Sequence, residues 1–125
     1  MPCFRTAAVA LLALSLDASA ATDCANASNT RAIEECAARE QKAVEAKLNT
    51  VYQDVMRRLA GRDDAAVRRK LQSAQRAWIA FRKADCDAVY EKWSGGTIRG
   101  TMFVGCMQRR AEQRIKELED FGAGG

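Results

Sequence analysis

The chain has no histidine. That absence removes the usual Ser–His and Cys–His nucleophile pairs and the commonest metal ligand. It has no Cys-x-x-Cys pair, so a thioredoxin-like redox role is not expected, and no two cysteines stand at zinc-type spacing. It has no phosphate-binding glycine motif either. The glycines of 95–105 lack both the Lys-Ser/Thr of a P-loop and a preceding strand. Alternating strand patterns and internal repeats are also missing. After residue 16 there is no second long hydrophobic run. With these groups missing, a catalytic reading has little to stand on, and no enzyme activity, cofactor or metal is expected.

What is present begins with an address. Met1 to Arg5 is a short basic start, Ala7 to Leu16 is an apolar run, and Ala18-Ser19-Ala20 is a small-residue cleavage pattern. These are the three parts of a secretory signal peptide, which assigns residues 1–20 to export and 21–125 to one domain. The apolar run is about ten residues, against the roughly 20 of a membrane-spanning helix. Ala21-Thr22-Asp23 separate the cleavage pattern from Cys24, so no lipid anchor is expected on the mature chain. The destination is the periplasm or the medium outside the cell.

Cleavage removes Cys3 and leaves Cys24, Cys36, Cys86 and Cys106. An even count in a small exported domain reads as two disulfides, with three pairings possible. The favoured one is Cys24–Cys36 with Cys86–Cys106, because each bond then joins a helix to the segment beside it. Losing Arg5 and Asp17 together leaves the net charge of +4 unchanged. So mild a charge suits anionic surfaces such as wall polymers and does not point to nucleic acid.

The hydrophobic spacing is helical throughout. A first helix starts near Asn29 or Thr30, both good caps. It carries an apolar face of Ile33, Ala37, Val44, Leu48, Val51, Tyr52, Val55 and Leu59, and Gly61 ends it as a left-handed cap. Asp63 or Asp64 caps a second helix that runs to about Tyr90 or Trp93. Its stripe is Val67, Leu71, Trp78 and Phe81. The short turn between them predicts an antiparallel hairpin of helices one and two.

Ser94 to Gly105 is a break, with glycines at 95, 96, 100 and 105. A third helix from about Met102 to Phe121 shows Phe103, Met107, Ala111, Ile115 and Leu118 on one face. The fold expected is therefore all-α, a small disulfide-stapled three-helix domain. Its expected core includes Leu48, Tyr52, Leu71, Trp78 and Phe81.

Few residues stand out as candidates for contact with a partner. Trp93 borders the glycine loop and has the character of an exposed anchor. Ile98 and Arg99 lie inside that loop, which a Cys86–Cys106 bond would restrain. Asp87 and Glu91, near Asp85, form an acidic patch late in the second helix. Adjacent Glu34 and Glu35 are read as acids favoured at a helix start rather than as a catalytic pair.

The order of these features resembles a known family. Cys24…Cys36, then LNTVY at 48–52, LQSAQRAWIAFRKADC at 71–86, a Gly-Gly loop, Cys106 and a basic third helix are similar to the LprI-type lysozyme inhibitor domain. The likeness spans essentially the whole mature chain. It implies a bacterial envelope protein with an all-helical fold that inhibits lysozyme by a non-covalent contact. The other function considered is a general envelope-binding or scaffold module without inhibitory activity.

Overall fold

The computed structural model describes residues 24–124, so the expected signal peptide lies outside the described residues. A short 3₁₀ turn, Cys24–Asn26, leads into three helices: α1 (Thr30–Gly61), α2 (Ala65–Lys92) and α3 (Arg99–Ala123). No strand occurs among the described residues. The domain is all-α, and the two disulfides are Cys24–Cys36 and Cys86–Cys106, with Cα separations of 5.5 and 5.6 Å.

Local chemistry sets the helix limits. Asn29 is extended, and its Oδ1 accepts from the Ala32 N–H at 3.0 Å, which satisfies one of the orphan donors of the first turn. At the other end of α1 the expected cap is displaced. Gly61 is still helical, and the left-handed residue is Asp63, with φ 59°. Asp tolerates that region better than most side chains, so the turn did not need the glycine. Asp64 stands at the N-cap of α2 without a side-chain cap bond.

α3 is the element on which both others rest. The α1–α3 interface is the widest, α2–α3 comes next, and α1–α2 is the narrowest. Lys47 of α1 lies near Glu119, and Val55 lies against Gly122, so α1 and α3 run in parallel. Asp85 pairs with Arg110, and Gln75 with Arg114, so α2 returns antiparallel to α3. The main core joins Leu48, Val55 and Leu59 of α1 to Ala111, Ile115 and Leu118 of α3, and only Leu71 enters it from α2. Ala111 is fully buried, and its small side chain lets the helices approach closely.

The inward face of α2 is half polar. Its buried residues are Leu71, Gln75, Arg82 and Cys86, and Trp78 packs partly against the main core. Phe81, expected in the core, is instead 54% exposed. The reason is helical phase. Each residue turns about 100° around the axis, so a face through Leu71, Gln75, Trp78, Cys86 takes position 82 and excludes 81. Choosing the apolar residue over the arginine rotated the expected stripe. Leu48 and Leu71 are buried, and Tyr52 and Trp78 are partly buried at the edge of the cluster.

The glycine break is also shorter than its composition suggested. Gly100 and Gly105 lie inside α3, which begins at Arg99. Only residues 93–98 separate α2 from α3. None of the described glycines has positive φ, so those of α3 take ordinary helical conformations, with support from the packing of the rest of the helix.

Candidate functional site

The connector from Trp93 to Ile98 stands at the end of the α2–α3 pair. Every residue from Glu91 to Gly100 is exposed. Local hydrogen bonds give the connector a shape. The Trp93 N–H donates to the carbonyls of Val89 and Tyr90, the Ser94 N–H to Glu91, and the Gly96 N–H to the Trp93 carbonyl at 2.9 Å. Trp93 and Ile98 keep 37% and 43% of their surface in water, a cost that isolated apolar side chains tolerate but that also leaves them available for contact.

Both ends of the connector are clasped. Cys86 and Cys106 are bonded one to two turns into the flanking helices, and both are buried. Nearer the tip, the Tyr90 and Phe103 rings meet edge to face, with centroids 6.1 Å apart. This is a favoured aromatic geometry. Arg99 lays its guanidinium over the outer part of the same clasp, 4.8 Å from the Tyr90 centroid. A short loop tied so close to its ends loses little freedom on binding.

The candidate charges sit in different settings. Arg99 is held by its stacking on Tyr90. Asp87 is bridged to Lys83 one turn earlier on α2, so it belongs to a solvated helix surface. Glu91 is exposed beside the start of the connector. Asp85 faces elsewhere. It accepts from Arg110 Nε at 2.8 Å and forms an ion pair with the same guanidinium, which also covers the Phe81 ring. Trp93, Ile98 and Arg99 thus share one end of the molecule with Glu91, while Asp85 joins α2 to α3.

Asp85, Cys86 and Cys106 place a carboxylate oxygen and two sulfurs within 4.8 Å of one another. The sulfurs are bonded to each other, so neither is a thiolate able to hold a metal. Gln75 and Arg82 flank the aromatic stripe in the sequence, where they can hydrogen-bond a neighbouring helix. They do so, Arg82 to Glu45 and Gln75 to Arg114, but their burial and these partners were not foreseen. Their only signal was that arginine and glutamine recur at the spacing of the buried face.

The family model described as Lysozyme inhibitor LprI matches residues 21–118. The chain belongs to the LprI lysozyme inhibitor family. An uncharacterized protein of Rhizobium meliloti (strain 1021) is 29% identical over 107 residues, covering 78% of this chain and 77% of that protein. No solved structure matches significantly. The matched span of the LprI model includes both disulfides, all of α1 and α2, and the connector. Two disulfides in so small a domain fit a protein that works outside the cytoplasm. Among the described residues no helix is long and apolar enough to cross a membrane.

Proposed function

We propose that this LprI-family chain is exported by cleavage of residues 1–20 and blocks lysozyme through a non-covalent contact made by the 93–98 connector. The observation that carries this reading is an exposed, tightly clasped turn bearing Trp93 and Ile98 beside Arg99. Lysozyme cleaves between sugars with a pair of carboxyl groups in a cleft. An obstructing protein needs a stiff projection with an apolar anchor and a donor for those acids. Trp93 supplies the anchor, and Arg99 supplies planar N–H donors matched to a carboxylate. Glu91 and Asp87 flank the projection, where they can meet a basic rim. The chain's own residues perform no bond chemistry in this reading; occupation of the cleft is the whole mechanism.

The test is a turbidity assay of lysozyme on a bacterial wall suspension, titrated with the purified protein. Inhibition is expected, weakened at least about tenfold by Trp93→Ala and by Arg99→Ala, as for central anchors of an interface. Unchanged helical circular dichroism would show that these variants still fold. No inhibition at micromolar excess, with sedimentation alongside isolated wall material, would overturn the reading in favour of an envelope-binding module.

A further inference from the structure

A second surface lies at the opposite end of the α2–α3 pair. Ala66, Val67, Lys70, Leu71 and Ala74 of α2 face Arg114 and Phe121 of α3 across a groove of about 480 Å³. Val67 and Phe121 are 38% and 48% exposed along it. The volume lies within the usual range for small-molecule sites, which are mostly apolar with a few placed polar groups. From Ala66 to Ala74 the groove follows α2 for about 12 Å at 1.5 Å per residue. That is the reach of a chain of carbons laid along a helix.

The charge that lines it is positive, with one acid, Glu117 of α3, beside Arg114. The lining residues include two cations and no acid. Arg114 is already engaged, its Nε with Gln75 and its Nη1 with Glu117. Lys70 has no such bond among the described residues, which leaves its ammonium available at the groove's edge. Between Ala65 and Lys83, α2 carries Arg68, Arg69, Lys70, Arg76 and Arg82 and no acidic residue. Asp63 and Asp64 precede the helix but do not line the groove.

We infer that this groove binds a free, single-chain anionic amphiphile of the fatty-acid type. Its hydrocarbon tail lies over Val67, Leu71, Ala74 and Phe121, and its carboxylate meets Lys70. The concave apolar floor selects a narrow tail. The Lys70 ammonium at the groove's edge selects an anionic head over a neutral or cationic one. Since the groove and the connector occupy opposite ends of α2, a ligand here leaves the connector uncovered.

The experiment is calorimetric titration of the full mature protein with laurate, below its micelle-forming concentration. Saturable binding near one equivalent is expected. Ala74→Phe, which fills an exposed position in the groove, and Lys70→Glu should each weaken it at least tenfold. Dodecyltrimethylammonium, which has the same tail under a cationic head, should bind at least tenfold more weakly than laurate. Lysozyme inhibition by Ala74→Phe should match that of the unaltered protein, so this inference and the connector reading fail separately. Absence of laurate binding, equal affinity for the two head groups, or binding only to anionic phosphatidylglycerol vesicles would each overturn it.

Discussion

Arg82 of α2 reaches Glu45 of α1 with both terminal nitrogens, at 2.5 and 3.5 Å from the two carboxylate oxygens. The arginine is 8% exposed, and its guanidinium also covers the Trp78 ring at 4.7 Å from the centroid. Arg114 lies 5.9 Å from the same ring centroid. The narrow α1–α2 interface is therefore built around a charge, where an apolar contact would be the usual choice. Glu45 keeps about a third of its side-chain surface in water.

Removing the acid should consequently cost more than replacing the arginine by a side chain of similar size. Glu45→Ala strands a buried guanidinium, and a loss of about 2 kcal/mol is expected. That is less than the ~3–5 kcal/mol of a fully buried pair, because solvent reaches the carboxylate. Arg82→Met leaves only an accessible carboxylate behind and keeps a flexible apolar stem against Trp78, so about 1 kcal/mol is expected. Urea denaturation of the two variants checks the order. The reverse order would mean that the pair does not hold the helices.

The two disulfides should differ in worth. Replacing Cys86 and Cys106 by serine opens a loop with a sequence separation of 20, for which chain entropy gives about 3 kcal/mol. It should also speed amide exchange through residues 93–98. Cys24–Cys36 closes a separation of 12 and ties down only a 3₁₀ turn outside the main core. Without it the turn can fray and regain entropy in the folded state, so the measured loss should be smaller. Thermal unfolding of the two serine pairs, with exchange mapped by mass spectrometry, tests both points.

The phase of α2 can be read from a pair of truncations. Phe81→Ala removes a large ring that is 54% exposed, and less than about 1 kcal/mol should be lost. Leu118→Ala removes a side chain that is 1% exposed at the centre of the core, and about 2–5 kcal/mol is expected. A large loss at Phe81 would return it to the interior.

Two glycines of α3 should respond in opposite directions. A Cβ at Gly122 would stand 3.1 Å from Val55 Cγ2, inside the α1–α3 contact. Gly122→Val should therefore wedge the helices apart at about 1–3 kcal/mol. A Cβ at Gly100 meets nothing within 4 Å. Gly100→Ala should stabilise by about 0.5 kcal/mol through lower entropy of the unfolded chain. Melting temperatures of the two variants decide the matter.

Helix number, helix type and the cysteine pairing were all legible in the chain, because 3.6-residue spacing and the joining of each helix to the segment beside it are local signals. The phase of α2 was not. A pattern built on apolarity favours Phe81 over Arg82, while the folded protein buries the arginine against Trp78 and Glu45, a partner 37 residues away in sequence. Gly100 and Gly105 misled in a similar way. Propensity counted them as breakers, and packing of Cys106, Ala111, Ile115 and Leu118 carried the helix through them. At the candidate site, the exposure of Trp93 could be anticipated from the glycines beside it, whereas Ile98, whose apolarity suggests a segment folded back onto the core, is instead 43% exposed. The Arg99–Tyr90 stack could not, since it depends on how α2 and α3 meet.

The position of α3 along the chain has a consequence for biogenesis. It is the last of the three helices to leave the ribosome, yet it supplies the surface on which the other two come to rest. Until it emerges, α1 and α2 have only a narrow, partly charged seam to share, too little to trap them in a stable intermediate. The polypeptide should therefore settle into its fold only once α3 is available to both of its partners.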